Sequence, residues 1–344
     1  MDAVTVLAVA AIVIILVFDY TNGFHDASNI VATVIASRAL TPIQAVVLVA
    51  VFEFLGPLLG GTAVADTIAK FVDLSSLAGI TSISVILAGV VGAIVWNLGT
   101  WWFGIPSSSS HALVGGLIGP VVVSIGPSHV VWGLGDLFLH GHLTGVTKVL
   151  LALVLSPVVG FWVGFALQRV TGVMLRGARP SLNRHLRRYQ ILTSAWLAFS
   201  HGTNDAQKSM GIITLVLVTA GFASEFAVPL WTVVACATAI TLGILSGGWR
   251  IVRTVGFGIY KVRPLHALNA QITAAGVIFG AALIGAPVST THVVSSSIMG
   301  IGASERPRSV RWAKAKDIIS TWMITIPGAA MVGITAWLVT LVFA

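Results

Sequence analysis

Two acids stand where a lipid-embedded chain tolerates them least. Asp26 lies in GFHDASN (23–29) and Asp205 in GTNDAQK (202–208), both within apolar surroundings. A charge at the centre of a bilayer costs at least ~2.5–3.5 kcal/mol, so such residues are read as functional by default. Asn22, Asn29 and Asn204 offer oxygen ligands beside them. Carboxylate, amide and carbonyl oxygens in an unwound helix suit Na⁺ or another hard cation. A carboxylate next to His25 can instead carry a proton. The bland alternative is a kinked helix whose acid is satisfied by backbone; its recurrence in both motifs weighs against that. Glu53, in the second apolar span, is a further buried acid with a cation-ligand or a structural role.

A second pair of motifs offers the complementary chemistry. GIPSSSSH (104–111) carries Ser107, Ser108, Ser109 and Ser110 after its proline; GAPVSTTH (285–292) carries Ser289, Thr290 and Thr291. Each bend opens a new short helix, expected over about 107–119 and 289–301. A helix start presents free N–H groups and a positive dipole end, and hydroxyls add donors. Two such ends would converge on a small oxyanion that must be released again. Plain capping and Ser-rich helix packing is the alternative for either motif alone. His25, His111, His201 and His292 also fall in these motifs. His111 and His292 are the candidates for touching a divalent metal, with hydrogen-bonded packing as the competing role.

The elements that position these groups must be membrane helices. Of 344 residues, 56% are hydrophobic and 9% charged, against about 25% charged in an ordinary soluble domain. Apolar runs at 3–18 and beyond, 42–61, 82–100, 147–168, 227–246, 266–284 and 317–343 reach the ~20 residues a bilayer span needs. They are continuous, unlike the alternating segments of a barrel. The 36 glycines suit close helix packing. The lone Cys236 excludes an internal disulfide, and the Met-Asp start lacks a basic leader, so the first span is expected to stay. Asp66 and Asp73 are expected near the outer surface without a role.

Charge placement excludes a nucleic-acid binder and orients the chain. Fifteen of the nineteen Lys and Arg fall in 169–188, 250–263 and 306–316, which the positive-inside rule places in the cytoplasm. An anionic-lipid patch is compatible with the same orientation. The stretch 266–301 then has both flanks inside, which requires a re-entrant hairpin bending at GAPVSTTH, with Pro287 interrupting the helix. The stretch 82–124 bends at GIPSSSSH and enters from the opposite side. The N-terminus is expected outside.

The motifs recur in order: GFHDA and GTNDA are offset by 179, and the two bends by 181. The halves have opposite orientations, so the fold class is an all-α polytopic membrane protein with an inverted-topology repeat, broken helices and two re-entrant hairpins. That is the architecture of a secondary transporter, with its site near the midplane. The first repeat is set at 1–168 (tip about 104–111), a basic cytoplasmic linker at 169–189, and the second repeat at 190–344 (tip about 285–292). Lys208 breaks the symmetry, standing where the first half has Asn29. Its ammonium could replace a bound cation or pair with Asp205.

At these residues the chain resembles the PiT family of inorganic phosphate transporters, in its bacterial low-affinity branch. NGFHDASNIVATVIASRALTP and SHGTNDAQKSMGIITL resemble the two signature segments; GIPSSSSHALVGGLIG and GAPVSTTHVVSSSIMG resemble the hairpin tips. The similarity runs from about 15 to 330. It implies a transport domain sliding against a scaffold, with phosphate between the tips and Asp26, Asn29, Asp205 and the hairpin hydroxyls as binding residues. Family members use Na⁺ or H⁺, and bacterial ones often carry a neutral metal–phosphate complex, so Mg²⁺ or another divalent ion enters as a companion of substrate; no resident cofactor is expected. Two departures matter. His25 stands where many members have Asn, which tilts coupling toward H⁺. Gln271 stands where many have Glu, which removes the carboxylate of a third cation site.

The expected function is therefore a symporter importing inorganic phosphate through the cell membrane, with a homo-oligomer among the admissible states. A sulfate or other oxyanion permease is the nearest alternative. Sulfate cannot donate a hydrogen bond at neutral pH, whereas HPO₄²⁻ can, and the two acids would accept it. An intramembrane serine hydrolase built on Ser107–Ser110, His111 and Asp26 is remote, because no GxSxG elbow is present and a hydrolase needs no duplicated site. A channel is less suited to buried acids at broken helices than alternating access.

Overall fold

The computed structural model describes residues 2–74, 77, 79–247, 251–252 and 254–343. Arg250 and Arg253, part of the second basic cluster, lie outside the described residues. The chain is helical throughout, in twelve α-helices among the described residues. The first half runs α1 (Ala3–Ala36), α2 (Pro42–Leu59), α3 (Ala63–Ala69), α4 (Gly79–Trp102), α5 (Ser109–Ser124), α6 (Leu134–His140) and α7 (Gly145–Met174). The second runs α8 (Leu182–Thr219), α9 (Leu230–Ser246), a π-helical turn (Thr254–Gly258), α10 (Pro264–Leu283), α11 (Thr290–Glu305) and α12 (Trp312–Phe343). Six of them, α1, α2, α4, α7, α10 and α12, are long and apolar enough to cross a bilayer. This is the multi-pass membrane fold expected.

Local sequence sets the element boundaries. Thr41 and Gln44 form a reciprocal capping box before Pro42, so α2 starts where proline lacks an N–H to lose. The two bends are built alike. Gly104 and Gly285 turn the chain with φ of 67° and 63°, where a Cβ would be strained. Ser108 and Ser289 then cap α5 and α11, accepting from the backbone N–H of His111 and His292. The helices so started extend beyond the expected windows, to Ser124 and Glu305.

One expectation needs correction. The Asp26 and Asp205 segments are not unwound: α1 and α8 run through both motifs as continuous helices of 34 and 38 residues. The breaks fall only at the hairpin bends, where proline removes a donor and glycine reverses the chain. The basic segment 169–189 is largely helical. Helix α7 carries Arg169 to Met174 and α8 takes up Leu182 onward, so only 175–181 separates them.

The halves pair by exchange. Helix α1 packs on α9 and α8 on α2; α5 packs on α12 and α11 on α7. The short turns Pro127–His129 and Pro307–Ser309 occupy matching places, and in each the Pro carbonyl accepts from a tryptophan indole, Trp132 or Trp312, at 2.8 Å. Each bend is held by a threonine from the opposite half. Thr67 donates to the Gly285 carbonyl at 2.7 Å and Thr254 to the Gly104 carbonyl at 3.0 Å.

The hairpin helices lie close enough to their neighbours that side chains are excluded between them. A Cβ on Gly115 would stand 2.2 Å from the Ile326 carbonyl oxygen of α12, and one on Gly300 2.0 Å from the Phe161 carbonyl oxygen of α7. Backbone cannot swing aside as a side chain can. Gly300→Ala is therefore expected to push α11 off α7 and to lower stability by roughly 1–3 kcal/mol. A fall in the melting temperature of the detergent-purified protein measures it; an unchanged melt would show that the two helices are free to part.

Candidate functional site

Both hairpin motifs meet the first acidic motif at Asp26. Its Oδ1 accepts from Asn29 Nδ2 at 3.0 Å and from Thr291 Oγ1 at 3.1 Å, and lies 3.0 Å from His25 Nδ1. Its Oδ2 accepts from Ser109 Oγ at 3.1 Å and Thr290 Oγ1 at 3.3 Å. One carboxylate thus receives hydroxyls from both hairpin tips while lying 1% exposed. Hydrogen bonding of this density is what makes a buried carboxylate tenable.

Around Asp205 the same frame holds a different occupant. Lys208 Nζ donates to Asp205 Oδ1 at 2.7 Å, to Ser110 Oγ at 2.6 Å and to the Val288 carbonyl at 3.4 Å. In the first half Asn29, at the matching position, donates to Asp26 and, at 2.8 Å, to Thr291 Oγ1. Each position therefore ties its own aspartate to the other half's hairpin, once through an amide and once through an ammonium. Lys208 is wholly buried. Asn204 holds the second bend, donating to the Ala286 carbonyl at 3.2 Å and accepting from Val288 N–H at 3.3 Å. The hairpins also touch directly, Ser110 Oγ donating to the Val288 carbonyl at 2.9 Å.

The expected residues distribute as follows. Ser109, Ser110, Thr290 and Thr291 surround the two acids. Ser108 and Ser289 use their oxygens as caps, and Ser107 lies 3.2 Å from Thr100 Oγ1, which also meets His25 Nε2 at 3.3 Å. Asn22 crosses to Asp205 Oδ2 at 3.4 Å. Glu53 joins the site through His201, Oε1 to Nδ1 at 2.6 Å. His111 and His292 stand apart from the acids: their rings pack on each other with centroids 4.6 Å apart, and His292 stacks on Trp322 at 3.8 Å. Beside them lies an apolar cavity of about 400 Å³ lined by Phe161, Trp162 and Met299. Gln271, at the departure from Glu, is engaged by neutral partners, donating to Thr33 and accepting from Thr193.

His201 is the site histidine that motif chemistry alone leaves unassigned. Its Nε2 lies 3.8 Å from Asp26 Oδ2 and 3.6 Å from Asp205 Oδ2. Asp26, His201 and Asp205 present ligand atoms within 4.8 Å of one another, a spacing able to hold a metal ion. The repeat register marks it: His201 stands 179 positions after Asn22, and each reaches across to the other half's aspartate. Asp19 had no such mark, lying outside the repeated motif. It is buried beside Ser209 and Cys236. Backbone proximity holds the frame: a Cβ on Gly23 would meet the Ile240 carbonyl oxygen at 2.1 Å, and one on Gly202 that of Glu53 at 2.3 Å.

A profile of the phosphate transporter family matches residues 22–333. The chain belongs to that family. It is 43% identical over 342 residues to a Bacillus subtilis (strain 168) protein described as a probable low-affinity inorganic phosphate transporter, covering 98% of both chains. A Rhizobium meliloti (strain 1021) relative of the same description is 41% identical over 329 residues, covering 95% of this chain and 94% of the relative. Among solved structures, one titled the sodium-dependent phosphate transporter has the same fold, with a TM-score of 0.87 over 98% of this chain and all of that one, at 22% identity. The family is one of transporters, not enzymes. The hydrolase alternative falls with it, and Ser107 to Ser110 bond to Thr100, a cap, Asp26 and the Lys208–Val288 contact, none to the His111 ring.

The Glu53–His201 contact gives a test of the frame independent of transport. Removing one member of a buried pair leaves the other uncompensated, at about 3–5 kcal/mol. Glu53→Ala is expected to lower the melting temperature sharply, and Glu53→Gln, which keeps a hydrogen-bond acceptor for His201, to lower it less. Equal melting of both variants and the parent protein would mean that the pair contributes nothing.

Proposed function

We propose that the protein is a secondary active importer of inorganic phosphate, driven by protons and working by alternating access. The observation that carries this reading is the convergence of both hairpin helix starts on Asp26. Free N–H groups, a positive dipole end and the Ser109, Ser110, Thr290 and Thr291 hydroxyls supply donors for a tetrahedral oxyanion. In this reading phosphate enters between the tips and takes over hydroxyls that bond to Asp26 and Lys208. Asp26 then accepts a hydrogen bond from the P–O–H of HPO₄²⁻, a contact sulfate cannot make. No arginine clamps the site, which suits a ligand that has to leave.

The coupling ion follows from the second aspartate. Lys208 presents a fixed positive charge where Na⁺ would otherwise bind, and Gln271 has no charge to offer a further cation. With His25 and His201 on the carboxylates and Asp19 buried nearby, the groups left to follow an ion gradient are proton carriers. Asp26, His201 and Asp205 are also spaced for a divalent ion, which supports entry of phosphate with Mg²⁺ as cargo. The halves 1–168 and 190–344, joined by the basic segment 169–189, move relative to each other in this cycle, with the N-terminus outside. The threonine latches at Gly104 and Gly285 oppose opening of either bend.

Uptake into proteoliposomes under imposed H⁺ or Na⁺ gradients, with and without Mg²⁺, tests the reading. Saturable phosphate uptake is expected, driven by an inward H⁺ gradient, indifferent to Na⁺ and not competed by sulfate. Uptake of no oxyanion under any gradient would overturn it. Ser109→Ala with Thr290→Ala is expected to raise the KM for phosphate about tenfold, two lost hydrogen bonds at ~0.5–1.5 kcal/mol each. Lys208→Asn removes the fixed charge and recreates the Asn29 arrangement. It is expected to make uptake depend on Na⁺; unchanged uptake and cation dependence would rule out a role for Lys208 in coupling.

A further inference from the structure

Five cationic side chains line a cavity of about 450 Å³ at the C-terminal end of α1. Arg38, Arg187, Lys261, Arg263 and Arg311 line it together with the buried Ser37, and no acidic residue lines it. The positive-inside rule puts this face in the cytoplasm. The nearest acid is committed elsewhere. Glu305 lies 4.0 Å from Arg263 but receives the Tyr260 hydroxyl at 2.9 Å and lies 2.8 Å from His266 Nε2. Burial, with that bond to Glu305, pushes the Tyr260 phenol up to about 12, so it stays a donor at physiological pH. Arg311 is aimed by a hydrogen bond from Nη1 to the Phe257 carbonyl at 3.3 Å, on the cavity wall.

The backbone gives a second, independent sign. Helix α1 ends in a Schellman arrangement, with Arg38 N–H on the Ile35 carbonyl at 3.0 Å and Ala39 N–H on the Val34 carbonyl at 3.1 Å. The residue at the left-handed position is ordinarily glycine, which has no Cβ to clash. Here it is Arg38, with φ of 58°, the one non-glycine residue with positive φ among those described. An arginine held at a glycine position, lining a cavity with four other cationic side chains, is strain at a place where a function can account for it. Like charges this close repel within the ~8 Å screening length of physiological salt, and a multivalent anion relieves that repulsion. Arginine forks match phosphate oxygens two at a time.

We propose that this pocket is a second anion site, distinct from the one between the hairpin tips, which takes a ligand presenting two or more phosphate groups. The ligand chemistry is common to a soluble oligophosphate and to the headgroup of an anionic phospholipid. Its walls come from the end of α1, the start of α8, the segment from the π-turn to α10, and the start of α12. An occupant therefore ties both halves together, about 18 Å along α1 from Asp26 at 1.5 Å per residue, and slows any motion of one against the other. The inference does not depend on phosphate being the cargo.

Calorimetric titration of the detergent-purified, delipidated full chain with inorganic tripolyphosphate tests it, alongside native mass spectrometry after exposure to phosphatidylglycerol or cardiolipin. Saturable tripolyphosphate binding identifies the soluble source; retained anionic lipid that tripolyphosphate does not displace identifies the lipid. Arg38→Gly relieves the backbone strain, so the variant is expected to melt at the same or a higher temperature while binding of either ligand falls at least tenfold. Arg187→Ala with Arg311→Ala is expected to weaken it equally. Three results would overturn the proposal: neither ligand binding to the parent protein, binding unchanged in both variants, or binding lost in Ser109→Ala with Thr290→Ala and kept in Arg38→Gly.

Discussion

One buried carboxylate organises the centre of this molecule. Asp26 is shielded from water. It is held by His25 and Asn29 on its own helix and by hydroxyls of Ser109, Thr290 and Thr291 from both hairpins. Losing these donors would leave a bare charge in a low-dielectric interior, at a cost of several kcal/mol. The hairpins are therefore bound to α1 by the need to satisfy Asp26, and a substrate offering and accepting hydrogen bonds can compete for the same hydroxyls. The groups that stabilise the closed arrangement are the ones a ligand would use.

The repeat explains why the site has two sides and Lys208 explains why they differ. Asn22 reaches Asp205 while His201 reaches toward Asp26; Asn29 reaches Thr291 while Lys208 reaches Ser110. These are one set of contacts written twice. An amide in one copy donates without carrying charge. An ammonium in the other donates from a flexible stem. The two aspartates thus meet different electrostatic environments in the same geometry, which is the asymmetry a directional cycle can use.

Close backbone packing transmits that centre outward. Glycines at 23 and 202 bring α1 onto α9 and α8 onto α2 within a distance that excludes a methyl group. Helices so placed slide or rock as units more readily than they deform. The threonine contacts to Gly104 and Gly285 sit at the two bends, each from the opposite half. A single hydrogen bond contributes about 0.5–1.5 kcal/mol, enough to bias a bend toward the conformation seen.

Much of this protein is legible in the bare sequence because lipid enforces strict rules. Long apolar runs have to be helices, since no water is present to satisfy an exposed backbone. A recurring acid in such runs has to have a partner. The offsets of 179 and 181 then make the repeat, the hairpins and the pairing of Asp26 with Asp205 readable from spacing alone. Spacing does not reveal which donors reach across. His201 joins the acids while His111 and His292 stack beside Trp322, though all lie in equivalent-looking motifs. The continuity of α1 and α8 was equally hidden, because polar residues inside a helix can be satisfied by neighbouring helices as well as by unwinding. Asp19 and the ring of cations around Arg38 join residues far apart in the chain. Only the tertiary packing decides such contacts, because a side chain's partners depend on which helix faces it.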